Sequence, residues 1–576
     1  MGKSAARVLM IGLDAATFDL IEPWAAQGDL PNLARLMKNG AHGRLASTLQ
    51  PATAPAWVSF MTGMNQGQHG LYDFVRRRAD SYSLEVTNGS HIAAPLMFET
   101  LSRLGQRVIT INLPYTYPPR PVNGIMIGGP FAPALTREVV YPPEYFDTLK
   151  QIAPDYFITP HFDGQAADPL GDFAAKLRCE VELRERVSLA LMQREPWDVL
   201  AVVVMATDEV QHSFWHCMEA ADDSPLIKYR DVIRGIYQRC DELVGNLLAA
   251  LPPDGRATDV IILSDHGAGR FEWMVNLNEW LAQQSLLRFQ TARVSPLHRL
   301  RAGLLGRAAK IYQRDVPPRW QWVVRQRLGA QRFGKVQEEF QSALVTAAID
   351  WTQTHAYGLG TGGNICVNLQ GREPNGAVKP ADYEAVRQRI IDGLMTLRDP
   401  RNGQLMVTRA YRREELYHGA KLDLAPDVIV QWSTYAYWGR GYDYWGRGSS
   451  RRQKPVLEEP RFSDDSAQPL TGAHRPEGIL IAYGPHIRSG VTVPAARLID
   501  LAPTIFHLLG FVPPVEMDGR VLTDMLLTAN SGSNTAKAVT TQIQAVNEAG
   551  ATPAPFEYTP EEAELISQHL RALGYL

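Results

Sequence analysis

An α/β fold is predicted, with a mostly parallel central sheet covered by helices on both faces. Three observations predict it. Four short apolar runs, Arg7–Leu13, Val199–Met205, Asp259–Leu263 and Gly478–Tyr483, are rich in Val, Ile and Leu without strict alternation, as strands buried on both faces are. Long helical patterns lie between them, Asp172–Arg194 and Leu226–Ala250 among them, and strands that alternate with helices build parallel sheets. Three of the runs are followed by an aspartate: Asp14, Asp208 and Asp265. In such sheets ligands gather beyond the carboxyl ends of the strands, so these carboxylates mark one edge.

Taken in order, the first run ends in Gly12-Leu13-Asp14. The stretch PATAPAWVSFMTG, 51–63, places Thr53 at or just before a helix that runs to Gly63. Free N–H groups and the macrodipole at a helix start favour an alkoxide and an incoming phosphate. In ATDEVQHSFW, Asp208 and His212 are four residues apart, so one helical turn presents both to the same point. His216, four residues further, shares that face as an outer residue or an alternative ligand. Asp265 and His266, in LSDHGAG, follow the third run, with Gly267 allowing a tight turn. His474, in TGAHRPEG, lies in a polar, Gly-flanked loop before the fourth. Carboxylates and imidazoles in this number suit two divalent ions, zinc or manganese more than calcium. Each motif alone has a plainer reading: a helical surface pair, a turn with a capping aspartate, a solvated histidine, or an N-cap threonine. Their combination and order carry the argument.

Composition narrows the class. The chain has 576 residues, 45% hydrophobic and 21% charged, enough for a large core and more than one structural unit. A net charge of −3 gives no whole-chain field for nucleic acid or an anionic membrane, so no specific nucleic-acid binding is expected. No stretch reaches the ~18 apolar residues of a membrane span. The four cysteines are scattered, which points to free thiols in a reducing compartment, and the expected location is the cytoplasm. Segment 286–340 holds twelve Lys/Arg against three acids in a helical spacing. Segment 432–455 contains YWGRG twice and is expected to be an irregular surface loop, with Trp438 or Trp445 available to stack on a substrate ring. The basic segment is a solvated helical face or a field that draws anions toward the cleft. Residues 529–556 read as a linker, and Thr559-Pro560-Glu561-Glu562 starts a terminal helix reaching about residue 573. The expected organisation is a first core part at 1–285, a basic inserted cap at 286–345, a second core part at 346–528, and linker plus helix at 529–576.

The order GLDAAT, TAPAW…TG, DEVQH, SDHG and GAHR resembles the alkaline-phosphatase superfamily, and within it the type I phosphodiesterase and nucleotide pyrophosphatase branch. The resemblance spans most of 5–510 and implies an alkaline-phosphatase-like fold. It implies one ion held by Asp14, Thr53, Asp265 and His266, and another held by Asp208, His212 and His474. It further implies in-line attack by Thr53, a phosphothreonine intermediate, and a small phosphate-ester substrate, nucleotides included. Sulfatases of the superfamily carry C/S-x-P-x-R, whereas this chain reads Thr53-Ala54-Pro55-Ala56-Trp57. One departure stands out. The branch has an asparagine after the nucleophile helix that donates to a phosphoryl oxygen, and HGLYDF places Asp73 there, an acceptor unless protonated. The expected reaction is hydrolysis of phosphodiester or pyrophosphate bonds. A phosphomonoesterase or phosphomutase on the same scaffold is the second reading, and a non-catalytic polyanion binder the third.

Overall fold

The run Ala6–Leu13 is buried along its whole length and serves two cores, with Val8 and Met10 on one face and Leu9, Ile11 and Leu13 on the other. A strand with no solvent face needs neighbours on both edges and a layer over each side. The computed structural model, which describes residues 6–290, 349–441, 455–459, 469–527 and 556–572, supplies both. The largest sheet has ten strands. In spatial order they are Val491–Thr492, Ala41–Ala46, Glu477–Tyr483, Ala257–Leu263, Ala6–Leu13, Val199–Val204, Val108–Leu113, Gly124–Gly128 and Val140–Tyr141, with Ala496–Arg497 also paired to Ala41–Ala46. The run from Ala257–Leu263 through Gly124–Gly128 is parallel throughout. One core packs Phe173, Leu177, Ile236 and Leu243 from helices Pro169–Arg194 and Val232–Ala249. The opposite core packs Trp57 and Phe60 from helix Thr53–Thr62 and Ile505 from helix Leu501–Leu508. This is a mostly parallel α/β sheet with helices on both faces.

The fourth run behaves differently from the other three. Glu477–Tyr483 is antiparallel to Ala257–Leu263, so it begins at the edge where the parallel strands end. A ligand contributed by this strand therefore has to precede it. His474 does, and it sits not in a loop but on a short strand, Gly472–Arg475, paired antiparallel with Gly267–Arg270. The helical pattern Leu226–Ala250 divides into a 3₁₀ turn at Pro225–Tyr229, started by the Ser224 hydroxyl accepting from the Leu226 amide, and the helix Val232–Ala249.

Two smaller four-stranded sheets lie beside the main one: Thr361–Gly362, Tyr437–Arg440, Trp273–Asn276 and Leu457–Glu458, and Ala356–Leu359, Asn364–Val367, Val428–Trp432 and Val407–Arg412. The expectation of an irregular loop over 432–455 is corrected at its start. Trp432 closes one strand and Tyr437–Arg440 forms another, because the apolar Trp432, Tyr437 and Trp438 are all buried and outweigh the glycines. Trp445 and the second YWGRG lie outside the described residues, as do 291–345 of the basic insertion and 529–555 of the linker. Around the basic segment, Phe289 bridges Ile349 and the Asp350 amide donates to the Arg288 carbonyl at 2.8 Å, so the chain leaves and returns at adjacent points. At the far end a helix covers Pro560–Ala572, where Thr559 Oγ1 accepts from the Glu562 amide and the Thr559 amide donates to Glu562 Oε2.

Candidate active site

Asp14 follows the Ala6–Leu13 strand, and Ala15 after it adopts a left-handed turn, φ 55°, that aims its amide at Asp265 Oδ1, 3.3 Å away. One oxygen of Asp14 accepts from the Trp57 indole, Nε1 to Oδ2 2.7 Å. Trp57 stands four residues after Thr53, one turn along the same helix, so a single short helix supplies both a hydroxyl and the clamp on Asp14. The motif TAPAW contained that second role, but a tryptophan in an apolar helix reads as core until its N–H is traced to a partner.

Three histidines share one arrangement. His212 Nδ1 donates to the Gly472 carbonyl at 2.8 Å, His474 Nδ1 to the Pro51 carbonyl at 2.6 Å, and His266 Nδ1 to the Gly267 carbonyl at 3.0 Å. A carbonyl only accepts, so each neutral ring carries its proton on Nδ1 and turns the Nε2 lone pair inward. His212 Nε2 and His474 Nε2 then face each other at 3.0 Å, with Asp208 Oδ1 3.2 Å from the first and 3.3 Å from the second. Asp208 and His212 meet because helix Ala206–Met218 presents them one turn apart. Gly472 permits the close approach of the His474 strand: a Cβ there would lie 2.3 Å from the Gln211 carbonyl oxygen. His266 stands between two groups. Its Nε2 is 3.2 Å from Asp265 Oδ2 and 3.7 Å from Asp14 Oδ1, and its ring stacks on His474 at 3.6 Å between centroids. Ligand atoms of Asp14, Asp265 and His266 lie within 4.8 Å of one another, and so do those of Asp208, His266 and His474.

The electrostatics favour cations. Burial, then repulsion from Asp265 and Asp208, holds Asp14 well above the usual carboxylate range. Burial and the Asp208 charge push Asp265 up to about 8. Burial would raise Asp208 too, but His212 and His474 override it and hold that carboxyl well below its ordinary value. Burial, and next the neighbouring His474 imidazole, hold the His266 pKa well below its ordinary value. Asp14 Oδ1 and Asp265 Oδ2 are buried with no hydrogen-bond partner among the described residues. Such oxygens are expensive to bury, and opposed imidazole lone pairs repel. Divalent cations remove both costs, so this donor set fits two metal ions.

Thr53 opens the helix Thr53–Thr62, whose N-cap residue Ala52 makes no side-chain cap hydrogen bond, and the Thr53 Oγ1 lies 3.4 Å from His266 Nε2. All seven residues singled out by the sequence thus lie at one buried edge. His216 belongs to neither ligand group; its Nε2 lies 3.5 Å from Cys217 Sγ. Trp438 is buried against Phe271 and Ala473 and meets the His474 ring edge-on at 5.6 Å, so it supports that imidazole. Asp73 turns toward the two smaller sheets, where its carboxylate accepts from the Phe74 amide at 2.7 Å, the Thr361 amide at 3.2 Å and Asn364 Nδ2 at 3.5 Å. Gly360, φ 59°, admits it: a Cβ there would sit 2.2 Å from Asp73 Oδ2. The arginines beyond are engaged by acids, Arg76 and Arg78 by Glu85 and Arg77 by Glu373.

The sequence profile of the type I phosphodiesterase / nucleotide pyrophosphatase family matches residues 8–451. The chain belongs to that family. It is accordingly a hydrolase, and the family is metal-dependent. Among solved structures it is similar to phosphonoacetate hydrolase from Sinorhizobium meliloti 1021 in complex with phosphonoformate, at 12% identity and TM-score 0.49, covering 88% of this chain and 99% of that one. It is also similar to human ectonucleotide pyrophosphatase / phosphodiesterase 5, at 14% identity and TM-score 0.45, covering 91% of this chain and 100% of that one. The murine counterpart, inactive and in complex with AMP, matches at 14% identity and TM-score 0.44, covering 91% and 100%. A sequence search of curated proteins returns no match. Among the described residues no helix is long and apolar enough to cross a membrane.

Proposed function

We propose that the chain hydrolyses phosphodiester or pyrophosphate bonds of small phosphate esters, nucleotides among them, through a phosphothreonine intermediate on Thr53. The observation that carries this reading is the position of the Thr53 hydroxyl, at an uncapped helix start and 3.4 Å from an imidazole that borders both carboxylate groups. Asp208, His212 and His474 would hold one ion; Asp14, Asp265, His266 and Thr53 would hold the other. Zinc suits these oxygen and nitrogen donors, and manganese is the alternative. Bound there, divalent ions supply charge that neutralises phosphoryl oxygens and lowers the pKa of hydroxyl and water.

The chain's own contribution is positional. The first-turn amides of the Thr53 helix would face the phosphoryl group and need no reorganisation as charge develops. Thr53 Oγ bonds to phosphorus as the bond to the leaving oxygen breaks, and the hydroxyl proton ends on that leaving oxygen, releasing an alcohol or phosphate. Water then attacks phosphorus, the Oγ–P bond breaks, and Thr53 regains its proton. Trp57 keeps Asp14 oriented, and the three backbone carbonyls keep each imidazole in the tautomer that ligation needs. The engagement of Arg76, Arg77 and Arg78 by acids favours a diester, since a monoester brings an extra negative charge that wants a cation beside it. The four free cysteines fit a reducing compartment, and we place the protein in the cytoplasm.

The test is the ratio of kcat/KM for matched aryl diester and monoester substrates with metal in excess. The diester is expected to lead. A monoester preference of about tenfold, ~1.4 kcal/mol in transition-state binding, overturns the substrate class and leaves the metal centre standing.

A further inference from the structure

The two ligand groups sit on different segments of the chain, and one buried side chain bonds across them. Gln211 lies between Asp208 and His212 on the helix Ala206–Met218. Its Nε2 donates to the Thr207 carbonyl at 2.7 Å and to the Ala15 carbonyl at 3.0 Å, 196 residues away along the chain. Carbonyls only accept, so both amide hydrogens are used and the orientation of the amide is fixed. Gln211 Oε1 accepts from the Tyr237 hydroxyl at 3.3 Å, and that hydroxyl accepts in turn from the Thr17 amide at 3.4 Å. Tyr237 is buried on the helix Val232–Ala249, so a third element braces the glutamine.

The residue that Gln211 reaches is the one with the unusual backbone. Ala15 has φ 55°, a left-handed conformation that is costly for a residue with a Cβ. Such a conformation persists only where its surroundings over-determine it. Here the Ala15 carbonyl is held by Gln211 and its amide by Asp265 Oδ1 at 3.3 Å, while the Ala16 carbonyl accepts from Ser264 Oγ at 2.8 Å. The turn that keeps Asp14 beside Asp265 is therefore fastened from two sides. Ser264 holds it from the residue before Asp265, and Gln211 holds it from the residue before His212. A continuous path of direct hydrogen bonds runs from the Asp208 helix through Ala15 to the Asp265 carboxylate.

We propose that Gln211 is a positioning residue that joins the two ion sites: by holding the Ala15 turn, it sets the affinity of Asp14, Asp265, His266 and Thr53 for their ion. The inference rests on the two-ion reading. It gives the Asp208 helix a second task, since that helix supplies two ligands to one ion and the brace for the other.

The test uses Gln211→Met, which keeps an unbranched side chain of similar length and removes both N–H groups. The full chain, stripped of metal, is titrated with zinc by calorimetry. Anomalous diffraction from crystals at limiting zinc assigns each ion to its ligands. The ion at Asp14, Asp265 and His266 is expected to bind at least about tenfold more weakly, as on loss of an outer hydrogen bond. The ion at Asp208, His212 and His474 is expected to keep its affinity, so the ratio of the two peaks changes. A merely structural cost would lower the unfolding temperature of the metal-free chain and weaken both ions together. Should Gln211→Met fail to fold, Tyr237→Phe removes only the hydroxyl that orients the amide, and it is expected to weaken the same ion and spare the other. Equal weakening of both ions, weakening of the Asp208 ion alone, or no change at either overturns the inference. If the unmodified protein binds fewer than two zinc ions, the two-ion reading fails and this inference falls with it.

Discussion

Thr53 carries two expectations that separate chemistry from binding. Thr53→Ala should fold, keep metal on the remaining carboxylates and imidazoles, and lose at least about three decades of kcat/KM. Thr53→Ser should keep part of the rate, because the hydroxyl survives. A Thr53→Ala rate near that of the unmodified enzyme would make water the nucleophile. Trp57→Phe keeps the ring in the core but removes the N–H that binds Asp14 Oδ2. Loss of such an outer hydrogen bond typically costs ~10–100-fold in metal affinity, and a competition titration with a zinc chelator measures it. Unchanged affinity would mean that Asp14 does not need the clamp. At this scale the sequence was informative where chemistry is written in residue type: carboxylates and imidazoles bordering apolar runs have few other uses in combination. It was silent on Trp57, whose bulk reads as packing.

The strands and loops explain the rest of what was visible. The central strands announced themselves because burial on both faces leaves uninterrupted Val, Ile and Leu. Ala41–Ala46 did not, since its residues alternate between buried and partly or fully exposed, and His42 and Arg44 interrupt the apolar pattern. Glycine and polar neighbours make a loop the natural reading for His474, whereas Gly472 serves close strand approach to the Asp208 helix. Asp73 tests the coupling between its own loop and the two smaller sheets. Burial pushes its pKa up to about 7 against the hydrogen bonds from Thr361, Phe74 and Asn364. A folded pKa above the unfolded one means that the native state holds this proton longer. The contribution is therefore present below about pH 4 and is lost as pH rises through 7. The stability of Asp73→Asn relative to the unmodified protein should accordingly improve between pH 4 and 7, by at most ~1.4 kcal/mol per pH unit. Urea unfolding at several pH values measures it, and a flat difference would show that Asp73 does not titrate in that window.

For the whole molecule, the sheet brings together chemistry that is spread from Asp14 to His474 along the chain. Parallel strands align Asp14, Asp208 and Asp265 at one edge, and the single antiparallel strand between them and the sheet margin explains why the last ligand precedes its strand. Burial of three carboxylates within reach of one another makes sense only with positive charge among them, since burial alone raises each and mutual repulsion raises two further. The measurement that bears most directly on this account is anomalous diffraction at the metal edge from crystals of the zinc-loaded protein. Two peaks are expected, one within ~2.0–2.2 Å of ligand atoms of Asp208, His212 and His474, the other at that range from Asp14, Asp265 and His266. A single peak, or peaks away from these side chains, would contradict the two-metal centre.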